Sequence, residues 1–123
     1  LQGSVEPLAR DALSATVALA WRSVQAPPLD YSIFVHLVNA QGEKVAQIDT
    51  QPRDAAGPLP MTTWPAGATV AGRYVVPLPA DLPPGEYRVV VGVYDWQAGS
   101  QLPASGDDAQ PGDVVEVGVL RVD

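Results

Sequence analysis

The sequence predicts an all-β fold: an antiparallel two-sheet β-sandwich of immunoglobulin-like or jelly-roll type, with about seven or eight strands. Short runs rich in valine and tyrosine alternate with a period of two, as half-buried strands do. Thirteen prolines and eleven glycines punctuate those runs, which is the chemistry of a chain with many turns. No segment carries the 3.6-residue apolar period of an amphipathic helix. A closed barrel is the alternative that the same pattern permits.

The chain opens on a weak strand near Val5. Over 13–22 a strand sets Leu13, Ala15, Val17, Leu19 and Trp21 on one face and Ser14, Thr16, Ala18, Ala20 and Arg22 on the other, so the first set is the core face. Pro27 and Pro28 then end it, because each fixes its own φ and donates no ladder hydrogen bond. Over 31–39, Tyr31, Ile33, Val35 and Leu37 alternate with Phe34, His36 and Val38. Both faces of this strand are therefore expected to be at least half buried. "NAQGEK" supplies the asparagine and glycine of a hairpin turn into a return strand over 43–50.

The loop over 51–68 holds Pro52, Pro58, Pro60, Pro65 and Trp64, and loops of such length are commonly functional or poorly ordered. Strands resume over 69–78 and 86–95, the second placing Tyr87, Val89, Val91 and Val93 on one face. Their valine content marks them as central. A polar loop precedes the last strand, over 114–122. The expected core is Val17, Leu19, Ile33, Val35, Leu37, Val89, Val91 and Val93. No internal repeat or linker divides the chain, so residues 1–123 are read as one domain.

Fourteen acidic against seven basic side chains give a net charge of −7, which opposes nucleic-acid phosphates and anionic membrane surfaces. Cysteine is absent, which excludes disulfide and thiol chemistry. The longest apolar runs, such as "ATVALAW", fall short of the ~20 residues of a spanning helix. "LQGSVEP" carries no initiator methionine, and the sequence reads as a fragment of something longer.

His36 is the single histidine. As a general base or metal ligand it would need an orienting carboxylate, a nucleophile or further ligands. The chain offers no second histidine, no cysteine and no G-x-S-x-G elbow. A structural histidine bonded to a neighbouring strand or loop is the expectation, with no metal and no cofactor. Asp95, Asp107, Asp108 and Asp113 bracket the last loop. Oxygen ligands gathered this way suit calcium, but the spacing fits no EF-hand, and a solvated acidic loop is the plainer reading. No pair of acids is marked as a glycosidase pair either. Trp21 is in phase with its core face. Trp64, in "MTTWPAG", and Trp96, beside Asp95 at a strand end, stand where a ring either meets a sugar or protein surface or caps an open end of the fold. Exposure separates the two readings, and Trp64 is expected to be partly accessible.

The runs "DYSIFVHLVNAQGEKVAQIDTQP", "TTWPAGATVAGRYVVPLPADLPPGEYRVVVGVYD" and "AGSQLP" resemble, in that order, a domain at the C-terminal end of bacterial multi-spanning glycosyltransferases of the protein-mannosyltransferase-like (family 39) group. The shared pattern falls on residues 34–37, Gln47 and Asp49, then on 62–67, 74–79, 82–87 and 92–95. One departure lies after the last aspartate, where an arginine of the pattern is replaced by Gln101. The resemblance implies a noncatalytic accessory domain on the extracytoplasmic face of the bacterial cell membrane, partnered by the membrane-embedded part of its parent enzyme. A carbohydrate-binding module using Trp64 or Trp96, with Asp95 beside it, is the alternative. A free-standing hydrolase ranks last, since no set of nucleophile, base and orienting residue is present.

Overall fold

The computed structural model describes residues 2–5, 14–23, 25–102, 109–110 and 114–122. Its strands are β1 (Gln2–Val5), β2 (Ser14–Arg22), β3 (Ser32–Val38), β4 (Lys44–Thr50), β5 (Arg53–Asp54), β6 (Gly57–Pro58), β7 (Thr69–Pro77), β8 (Gly85–Asp95), β9 (Ser100–Gln101), β10 (Ala109–Gln110) and β11 (Val114–Val122). A single 3-10 turn, Met61–Thr63, is the only helical element among the described residues. No helix among them is long and apolar enough to cross a membrane.

Every pairing is antiparallel. One sheet has the order β1-β2-β7, and the larger has the order β10-β11-β8-β3-β4, with β9 attached to β8. β5 and β6 form a minimal ribbon of their own. Consecutive strands pair in β1–β2, β3–β4, β5–β6, β8–β9 and β10–β11, while the chain passes from one sheet to the other between β2 and β3 and again between β7 and β8.

The alternation of β2 works as its sequence dictates. Ala15, Val17, Leu19 and Trp21 are buried, and the residues between them are partly exposed. They join Val70, Tyr74 and Val76 of β7, Ile33, Val35 and Leu37 of β3, Tyr87, Val89 and Val91 of β8, and Leu120 of β11 in one apolar cluster. Each such side chain contributes about 1.5–3 kcal/mol when fully buried, so both sheets depend on the shared core. Val93, expected in the core, is only partly buried and packs against its margin.

The β3–β4 turn forms for local reasons. The Asn39 side-chain oxygen accepts the backbone N–H groups of Gln41 and Glu43 at 3.0 and 2.9 Å. Gly42 takes the positive φ of +83° that closes the turn. The hairpin matches the reading from "NAQGEK". One detail departs from simple pairing: Leu37 opposes Ala46 but Val38 opposes Lys44, so Val45 is an extra residue. A second bulge leaves Val117 extra, with Glu116 opposite Val90 and Gly118 opposite Val89. Because alternation has a period of two, each bulge moves every later side chain of its strand to the other face.

Candidate functional site

Residues 51–68 are not an idle loop. The backbone N–H of Leu59 bonds Pro52 O at 2.8 Å, and Asp54 Oδ1 accepts from Ala56 N at 2.8 Å across the β5–β6 turn. The Asp30 carboxylate accepts from both the backbone N–H and the hydroxyl of Thr62, which holds it below its ordinary carboxylate pKa. Ser23 ties the far end: its hydroxyl donates to Pro65 O at 2.7 Å, and its carbonyl accepts from Gly67 N at 2.7 Å.

The ring of Trp64 is the centre of this arrangement. It is 4% exposed, lies in the core cluster beside Met61, and donates its indole N–H to Leu59 O at 3.0 Å. The expected accessibility of Trp64 is therefore corrected. Its apolar surface and its single donor are both satisfied inside the fold, and nothing of the ring remains to present to a partner.

Trp96 differs. At 59% exposed it projects from the turn that follows β8. Asp95 shapes that turn: its Oδ1 accepts from Gln97 N at 3.0 Å, and its carbonyl accepts from Gly99 N at 2.7 Å. The aspartate is thus occupied as a turn former next to the exposed ring. Asp107, Asp108 and Asp113 lie outside the described residues. Among the described residues no cluster of three or more metal-ligating side chains occurs.

A second region, which sequence reasoning did not single out as a site, is the outward face of the larger sheet. The register sets Phe34 beside Gly92 and Asp49, His36 beside Val90 and Gln47, and Val38 beside Arg88 and Lys44. Phe34 points outward yet is only 5% exposed, because it covers Gly92 and is flanked by other rings. The His36 imidazole stacks on it with centroids 4.2 Å apart and planes 26° from parallel, and Tyr94 lies 6.2 Å away on the other side.

The expected hydrogen bond from His36 to a neighbouring strand or loop is not formed among the described residues. Ring stacking takes its place. Desolvation, and then the positive charge of Lys44, hold the imidazole below its ordinary pKa, with Asp49 opposing them. Beside the ring opens a groove of about 330 Å³ lined by His36, Val38, Lys44, Arg88, Val90 and Val114. The signal in the sequence was the run "FVHLV", apolar on both faces of one strand.

The smaller sheet also offers an outward surface. Ala18, Ala71 and Val75 line a groove of about 590 Å³ where β5 meets β7, with Arg53 and Asp54 at its edge. Val75 is 56% exposed there. Gly72 permits this approach, since a Cβ at that position would overlap the carbonyl of Arg53.

Compared with family models, curated proteins and solved structures, the chain matches none.

Proposed function

We propose that this chain is an immunoglobulin-like β-sandwich serving as a noncatalytic, extracytoplasmic accessory domain of a bacterial membrane glycosyltransferase of the family 39 group. Two features support the sandwich. The order β1-β2-β7 against β11-β8-β3-β4 parallels the A-B-E and G-F-C-C′ sheets of that architecture. Tyr87, near the start of the strand corresponding to F, donates its hydroxyl to Pro83 O four residues upstream, as a tyrosine corner does.

One observation carries the functional reading: the residues of the resemblance have structural work to do. Trp64 is buried, Gly67 has a positive φ and bonds Ser23, and the Tyr74 hydroxyl accepts from Arg53 N at 2.9 Å. Tyr87 bonds Pro83, Gly92 receives Phe34, and Asp95 shapes a turn. A pattern of this kind specifies a scaffold rather than a reaction, and the scaffold's function is then to be held beside something else. The small apolar residues on the outward face of β2 and β7, Val75 foremost, are a surface suited to that contact.

The carbohydrate-binding alternative now rests on Trp96 alone, favoured by its exposure. Two experiments separate the readings. Sequence upstream of residue 1 encoding many spans of ~20 apolar residues supports the membrane-enzyme reading, and its absence refutes it. A glycan array probed with the chain supports the alternative if binding is seen and is lost in Trp96→Ala.

A further inference from the structure

The chain has eight side chains of basic type, seven Lys or Arg and one His, against fourteen acids. Three of the eight, including the only lysine and the only histidine, line the same 330 Å³ groove on the larger sheet. The register explains how. On β4, Gln47 shares the face of His36, and strict alternation would turn residue 44 toward the core side. The bulge at Val45 instead sets Lys44 opposite Val38, on the outward face.

On the far side of the groove, the bulge at Val117 lies at nearly the same level. It lets Glu116 share the outward row of Val90 while Val119 returns to the outward row of Arg88. Arg88 lies opposite Val119, its Nε 3.9 Å from Glu116 Oε1 in a long, partly exposed ion pair. Bulges re-aim side chains and are over-represented at sheet edges and beside active sites. The floor between the cations is apolar, made by Val38, Val90 and Val114.

We propose that this groove binds a small organic anion, a phosphate or carboxylate carried on an apolar body. The anionic group sits between Lys44 and Arg88, and the apolar body lies on the valine floor against the His36 ring. The charges facing His36 are Lys44 and Asp49 from β4, Arg88 from β8 and Glu116 from β11. An anion held at the cationic side would stabilise the protonated imidazole, and by linkage protonation would tighten the anion. The inference is independent of the membrane-enzyme reading.

The test uses the chain's single histidine as its reporter. The imidazole Cε1–H signal is followed by NMR at fixed ionic strength during titration with phenyl phosphate, benzoate, inorganic phosphate and neutral benzyl alcohol. The expected result is a saturable shift with phenyl phosphate or benzoate, weaker binding of inorganic phosphate, and none of benzyl alcohol. Saturation by phenyl phosphate alone assigns a phosphate ligand, and by benzoate alone a carboxylate. Lys44→Gln and Arg88→Gln, both at exposed positions, should each weaken binding by about fivefold or more. Non-saturating drift with every anion, equal binding of inorganic and phenyl phosphate, equal binding of benzyl alcohol, or unchanged affinity in both variants overturns the proposal.

Discussion

Phe34 lies across Gly92 of the adjacent strand so closely that a Cβ at residue 92 would overlap the tip of its ring. An aromatic residue is thereby hidden on the outward face of a sheet, and His36 gains a surface to stack on. Gly92→Ala is expected to destabilise the domain by about 1–3 kcal/mol, as overpacking does. In a Phe34→Ala background the same change should cost much less. Chemical denaturation of the four proteins of this cycle measures the coupling, and additive losses would show that the two residues do not interact.

The buried state of Trp64 makes a separate prediction about fluorescence. Trp21 and Trp64 are buried and Trp96 is exposed, so acrylamide should quench chiefly Trp96. Trp96→Phe should remove most of the quenchable signal and leave stability nearly unchanged. Trp64→Ala should cost about 3–5 kcal/mol, from the lost ring and the Leu59 carbonyl left without its donor.

Stability should also depend on pH through His36. Its folded pKa is depressed, first by burial and then by Lys44, so the unfolded chain binds the proton more readily. Stability is therefore highest above the unfolded value of about 6.5 and is lost as pH falls through the lower folded value. Thermal unfolding between neutral and mildly acidic pH should show this slope, and His36→Gln should flatten it. A slope unchanged by the substitution would count against the assignment.

Tyr87→Phe removes the hydroxyl that bonds Pro83 and leaves its carbonyl unpaired. A loss of about 1 kcal/mol is expected in denaturation, with the fold retained. No measurable loss would weaken the tyrosine-corner argument for the sandwich.

Much of the strand pattern was legible because it is local. In β2, alternation alone separates Leu19 and Trp21 from Ala18 and Ala20, and in β3–β4 the asparagine and glycine of the turn announce the hairpin. The setting of Trp64 was not legible, because the groups that fix its loop are distant in sequence. Asp30 is 32 residues from Thr62, and Ser23 is 42 from Pro65. The bulges were hidden for another reason: Val45 and Val117 are ordinary strand residues, and only the partner strand reveals that they are extra. The groove between Lys44 and Arg88 depends on those bulges, so the residues alone show no more than a two-faced apolar strand.

The central functional claim is that the domain sits against the membrane-embedded part of its own parent enzyme. A photo-crosslinking amino acid placed at Val75, on the exposed face of β7, tests it in membranes of cells producing the full-length protein. The expected result is a covalent link between residue 75 and a membrane-embedded segment of the same polypeptide, mapped by mass spectrometry, with no such link from a probe at Trp96. Residue 75 linked to no membrane protein, or the domain recovered on the cytoplasmic side, would contradict it.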